Sequence, residues 1–310
     1  MTNNSQRILK AVKGGLPKAK KTIIWLLKLI LPISLAVQLL MFTGILDYFA
    51  VILNPVFKAV GLPGASAIAF VCSLFLPLYA PIAIIGTLGL TIREMTILAI
   101  MCLISHNTLV ESAVQKRTGS SFLFIMILRI GMSFFAAFLW NLMLPVDMGV
   151  VSGSVVAEVS GTTFFQMLID WGIGAASLSL KIILIVSALM ILQRLLEEFY
   201  IMNFLALFFA PFMKFMGLSK NCSFLWFVAN IIGLTYGSAV LIEQVEAGNL
   251  GRSDARMLNN HLAISHSLLE DSLIFVAIGV PIFWVTVPRL LLAILAVWVI
   301  RLFLFIRSKS

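Results

Sequence analysis

An all-α polytopic membrane protein built from two homologous halves is the fold class predicted here, and three observations predict it. Hydrophobic residues make up 61% of the 310 residues and charged residues only 11%, with a mean hydropathy of +1.08, far from the balance of a soluble domain. Apolar stretches recur at about the 20 residues that cross a hydrocarbon core. A polar Ser-His cluster followed by acid occurs twice, as "CLISHNTLVES" (Cys102–Ser112) and "AISHSLLEDS" (Ala263–Ser272).

The apolar stretches are Thr22–Phe42, Ala65–Leu88, Ser121–Leu144, Leu178–Leu192, Ser223–Ile242 and Leu273–Ile300, the last long enough to be tilted, broken or shared with the helix before it. Each is continuously apolar rather than alternating with period two, which predicts helices and not a barrel. The polar connections Pro145–Thr163 and Glu243–Arg256 are too short for a nucleotide-binding module, and no Gly-rich loop ends in Gly-Lys-Ser/Thr. ATP hydrolysis within the chain is therefore not expected, nor any cofactor. Six of the 22 basic residues lie between Arg7 and Lys21. A net charge of +9 placed this way marks a cytoplasmic anchor beside anionic lipid rather than a nucleic-acid surface. Cys72, Cys102 and Cys222 sit in apolar surroundings and read as small buried hydrophobes.

The repeat extends beyond the clusters. At a spacing of 160, Ser105, His106, Leu109 and Ser112 match Ser265, His266, Leu269 and Ser272, Glu111 meets Asp271, and Arg129 meets Arg289. At a spacing of 156, Pro55, Lys58, Gly61 and Leu62 match Pro211, Lys214, Gly217 and Leu218, and Gln38 and Gln193, 155 apart, are candidates to extend the match. The chain divides into a basic segment (1–21), a first repeat (22–145), a linker (146–164) and a second repeat with a short tail (165–310). Five crossings per half make the repeats inverted, and four make them parallel. Basic residues favour five, with Lys116, Arg117 and Arg194 inside and Arg93, Lys181 and Lys220 outside. Ten crossings with both termini cytoplasmic are expected, with short or broken helices near the centre, the architecture from which alternating access arises most simply.

On continuous helices, residues four apart share a face, which groups Asn107 with Glu111, Ser267 with Asp271, His266 with Glu270, and His261 with Ser265. Asn259 lies two turns before His266 on that side. Such a polar stripe faces a protein interior or a wet cavity, so Ser105, His106, Asn107, Glu111, Asn230, Asn259, Ser265, His266, Glu270 and Asp271 are the candidates for binding a small polar solute or ion. Arg129 and Arg289 sit inside their helices and pair with Glu111 and Asp271; a buried structural ion pair is the competing reading for these sets. Imidazole beside carboxylate makes proton coupling available chemistry. A metal held by His106, His266 and the acids is left open, because its ligands would come from separate helices. Adjacent Ser265 and His266 point about 100° apart on a helix, which speaks against nucleophilic catalysis; no enzyme activity is expected. Breaks at Pro63, Gly64, Pro77, Pro81 and Gly86, and at Gly233, Thr235, Tyr236, Gly237 and Ser238, either let helices approach closely or open backbone groups to a solute.

"NPVFKAVGLPGASAIAF", "ANIIGLTYGSA" and the doubled Ser-His cluster resemble the Gate, or nucleoside-recognition, membrane domain family, which includes spore maturation membrane proteins and the gate regions of the bacterial ferrous iron transporter. Asn230–Leu234 is most similar to the spore maturation type. The resemblance implies a multi-pass protein of the bacterial cytoplasmic (inner) membrane, of transporter type. Departures stand against iron transport: no GTPase is attached, and Cys72 lies in "FVCSLFLP" without a Gly-Cys pore pattern. The expectation is a secondary transporter working by alternating access. The competing expectation is a non-transporting scaffold or maturation factor, and self-association or a partner membrane protein is left open.

Overall fold

A computed structural model of the chain describes residues 4–149, 163–231 and 233–308. The described residues are helical, with no strand among them. The first half holds α1 (Asn4–Phe42), α2 (Ile45–Ala59), α3 (Ser66–Phe75), α4 (Tyr79–Ile85), α5 (Ile92–Ser105), α6 (Thr108–Arg117) and α7 (Phe122–Met143). The second holds α8 (Phe164–Glu198), α9 (Ile201–Met213), α10 (Ser223–Ile231), α11 (Leu234–Glu246), α12 (Arg252–Ser265), α13 (Glu270–Ala277) and α14 (Ile282–Arg307), with a 3-10 turn at Lys220–Cys222. The basic N-terminal segment is continuous with the first apolar run, because α1 carries both. Most of the linker expected at 146–164, and the side chains of Gln193, Thr235, Tyr236 and Ser238, lie outside the described residues.

Among the described residues, four stretches are long and apolar enough to cross a bilayer: Ile92–Arg117, Phe122–Met143, Phe164–Leu196 and Ile282–Arg307. Three of the apolar stretches are divided, as their Pro and Gly residues and the length of the last one suggest. Ala65–Leu88 breaks at Leu76, whose φ of −120° and ψ of 156° are extended, as the residue before Pro77 must be. Ser223–Ile242 breaks between α10 and α11, where Gly233 adopts a φ of 106° that only glycine takes without strain. Leu273–Ile300 breaks between α13 and α14, at Gly279 and Pro281.

Matching positions in the two halves share local geometry. Gly61 and Gly217 have φ of 77° and 74°. Each also presses against the last helix of its half: a Cβ would stand 2.0 Å from Asn141 Oδ1 at Gly61 and 2.8 Å from Val297 Cγ1 at Gly217. Backbone N–H groups of Leu62 and Leu218 donate to Phe57 and Met213 carbonyls at 2.9 and 2.8 Å.

Helices α5, α7, α12 and α14 form the centre, and the packing crosses between halves. Helix α5 packs on α7 and α14, while α12 packs on α14 and α7. One hydrophobic core accordingly joins Ile97, Leu98, Ala136 and Ala137 of the first half to Ile264, Phe275, Val285 and Ala293 of the second. Trp140 Nε1 donates to Trp284 O across the same seam at 3.1 Å. The outer faces of α7 and α14 expose Leu123, Phe124, Ile127, Leu291, Leu295 and Val299, an apolar surface suited to lipid. Helix α1 lies along α8 at the periphery through Ala19, Ile23, Ile182, Val186 and Met190.

Candidate functional site

The site is made by two helix breaks that meet. Helix α5 is started by a capping box, in which Thr91 Oγ1 accepts from Glu94 N at 3.2 Å and Thr91 N donates to Glu94 Oε2 at 2.8 Å. It runs as a buried rod to Ser105. His106 is then extended (φ −60°, ψ 151°), Asn107 is left-handed (φ 49°), and α6 begins at Thr108. Asn tolerates the left-handed region better than other side-chain-bearing residues. In the second half, α12 ends at Ser265, His266 is extended (φ −57°, ψ 157°), and Ser267 takes the left-handed φ of 49°. Each break is stitched to the preceding broken helix. Asn107 N donates to Ser73 O at 2.7 Å, and Ser267 N to Ala229 O at 3.0 Å. The continuous helical stripe expected through His106 and His266 is thus corrected: each histidine caps a helix and projects from an extended residue.

A helix that ends inside a protein leaves carbonyls without partners, and the two arginines supply donors to them. Arg129 of α7 donates from Nε to Ile104 O at 2.8 Å and from Nη2 to His106 O at 2.7 Å, and its Nη1 meets Glu111 Oε2 at 2.5 Å. Arg289 of α14 donates from Nη2 to His266 O at 3.0 Å. Its Nε and Nη1 make no hydrogen bond, although the residue is fully buried. The expected Arg129–Glu111 pair is present. The matching Arg289–Asp271 contact is not a hydrogen bond, because aspartate is one methylene shorter and its Oδ2 points toward His106.

The imidazoles face one another, ring centroids 4.9 Å apart and Nε2 atoms 3.3 Å apart. His106 Nδ1 stands 3.1 Å from Cys102 O and His266 Nδ1 2.8 Å from Leu262 O. A carbonyl only accepts, so Nδ1 carries the proton in each ring. The neutral rings then direct two bare Nε2 lone pairs at each other. Carboxylates close the group: Glu111 Oε1 is 3.4 Å from His106 Nε2, Glu111 Oε2 is 3.3 Å from His266 Nε2, and Asp271 Oδ2 is 3.5 Å from His106 Nε2. Ligand atoms of His106, His266 and Asp271 all lie within 4.8 Å of one another, the spacing of a metal-binding set.

The remaining candidates are placed around this centre or away from it. Ser105 and Ser265 turn their hydroxyls back to Met101 O and His261 O. Asn107 contributes its backbone conformation and Asn230 braces the second break, its carbonyl accepting from Leu269 N at 3.2 Å. Glu270 lies against Gly233, where its Oε2 would be 3.2 Å from a Cβ. Asn259 is not at the histidines: its Nδ2 donates to Thr118 Oγ1 at 2.7 Å and Ser120 Oγ at 2.9 Å. With Gln115 Nε2 reaching Asn259 O at 3.5 Å, this is a second polar junction between halves. Sequence reading misses it because Gln115, Thr118 and Ser120 have no polar counterpart pattern of their own. His261 accepts from Trp226 Nε1 at 3.2 Å through Nδ1 and belongs to packing.

The chain is 31% identical over 288 residues to the uncharacterized membrane protein YvoD of Bacillus subtilis (strain 168), an alignment that covers 92% of either chain. No family model matches the chain, and no solved structure matches it.

Proposed function

This chain belongs to the membrane-protein family of YvoD, and from that premise we propose that it is a secondary transporter of a small polar solute or ion in the bacterial cytoplasmic membrane. The observation that carries the reading is the meeting of His106 and His266, 3.3 Å apart, at the ends of two broken helices from matching places in the two halves. Broken helices concentrate unpaired backbone groups and ionisable side chains where a membrane protein otherwise keeps none, and such interruptions mark substrate and ion sites. Inverted repeats fit the same geometry: α5 and α12 end at one point, and α5–α14 and α7–α12 contacts join the halves across one seam. A pseudo-twofold axis between the histidines would let the halves rock and expose the centre to each side in turn. Ten crossings with cytoplasmic termini, and the likeness of the short motifs to the Gate group, belong to this reading.

A sealed scaffold is the second reading, favoured by the complete burial of Arg129 and Arg289. Accessibility separates the two without knowledge of the solute. In protein lacking Cys72, Cys102 and Cys222, Ser105→Cys and Ser265→Cys are to be treated with a membrane-impermeant thiol reagent in right-side-out and inverted vesicles. Alternating access predicts labelling from both sides. Absence of labelling from either side, in folded protein, gives the scaffold reading the field.

A further inference from the structure

We infer that the centre binds a divalent first-row transition-metal cation of the zinc class, held by His106 Nε2, His266 Nε2 and Asp271 Oδ2, with Glu111 placed for a fourth position. Two backbone carbonyls fix the tautomers. Both Nδ1 protons are committed to Cys102 O and Leu262 O, so two neutral rings offer only acceptors to each other across 3.3 Å. A cation between them would satisfy both lone pairs at once.

A shared proton is the simplest cation, but the distances fit it poorly. Hydrogen bonds from nitrogen close to about 2.7–3.2 Å, and those to carboxylates to about 2.7–2.9 Å. The four separations here are 3.3, 3.4, 3.3 and 3.5 Å. Two ligands at corners of a tetrahedron around a metal, with bonds of about 2.0–2.1 Å, stand roughly 3.3–3.4 Å apart. The 3.3 Å between the two Nε2 atoms and the 3.5 Å from His106 Nε2 to Asp271 Oδ2 match the edges of such a tetrahedron.

A second observation is independent of spacing. Asp271 Oδ2 is buried, aimed at the centre and without a hydrogen bond, whereas a carboxylate oxygen in such a place needs a cation or donor. The surroundings also orient the ligands as metal sites do: each imidazole gives its other N–H to a carbonyl, and Glu111 is held by Arg129 at 2.5 Å. Two imidazole nitrogens with carboxylate select zinc-like cations over magnesium and calcium, which take oxygen sets.

The inference deepens the transport reading by naming its solute class, and rests on that reading only for movement of the ion, not for binding. The test uses the full chain purified in detergent through a tag without histidine, with Co2+ as the probe. One Co2+ per chain with the visible spectrum of a tetrahedral site is expected, displaced by an equivalent of Zn2+ and untouched by excess Mg2+. His106→Asn and His266→Asn abolish the spectrum, while His261→Asn retains it. X-ray absorption of the zinc-loaded wild type serves if the variants do not fold; two nitrogen neighbours at about 2.0 Å are expected. A wild type that retains no Co2+ or Zn2+, or a spectrum unchanged in both His106→Asn and His266→Asn, overturns the inference. Zinc flux into proteoliposomes is measured beside it. Binding without flux leaves the metal site and removes transport of the ion, whereas two-sided labelling of Ser265→Cys without metal binding leaves transport and removes the metal.

Discussion

At the scale of the residue, the two arginines are equivalent in sequence and unequal in structure. Arg129 serves two helix-end carbonyls and a carboxylate, and Arg289 serves one carbonyl. Arg129→Met strands Glu111 and both carbonyls in an apolar interior, a loss of about 3–5 kcal/mol. Arg289→Met removes a single charge-assisted bond, about 1.5–3 kcal/mol. Thermal unfolding of detergent-purified protein, followed by tryptophan fluorescence, should rank the two in that order; equal losses would contradict the pairing described. Asp271→Glu adds the methylene that Glu111 already has. It is expected to close on Arg289, raise the unfolding temperature and weaken Co2+ binding at the centre. His106, His266, Glu111 and Asp271 are legible from the sequence because repetition singles them out. Ser105, Ser265 and Asn259 share that polar character but turn elsewhere, since orientation depends on where each helix ends, which spacing alone does not reveal.

At the scale of the element, the decisive features are interruptions without proline or glycine. The run Leu103–Leu109 carries no strong breaker, so an unbroken helix is the natural reading, and tertiary bonds override it. Asn107 N is taken by Ser73 O, and Arg129 takes the freed carbonyls. Asn107→Gly should therefore be nearly neutral. Asn107→Val forces a β-branched side chain into the left-handed region at a cost of about 1–2 kcal/mol and drives α5 toward joining α6. Circular dichroism showing more helix, together with a lower unfolding temperature, is the expected pair of signals; a Val variant as stable as the Gly variant would remove the strain from the account. The breaks at Leu76 and Gly233 were announced by Pro77 and by the Gly-rich run. Their effect on the crossings was not, because each flanking piece is apolar enough to read as part of one span.

At the scale of the whole molecule, membrane character is legible from composition, while the contacts of α5 with α14 and of α12 with α7 are not, being a matter of packing. Orientation is open to direct measurement. Single cysteines at Arg117 and Val146, both exposed, placed in cysteine-free protein in intact cells, report the two ends of α7. Label at Val146 alone agrees with a five-crossing first half and inverted repeats; label at Arg117 alone calls for parallel halves. The Asn259 junction adds a mechanical consequence. It clasps α12 to the loop before α7 seven residues ahead of His266, a lever arm of about 10 Å along the helix. A tilt of roughly 10° about that fulcrum sweeps His266 through about 2 Å by the same geometry. The polar clasp can thus stay fastened as a hinge pin while the imidazoles part, and a swing smaller than the width of a water molecule suffices to unmake the centre.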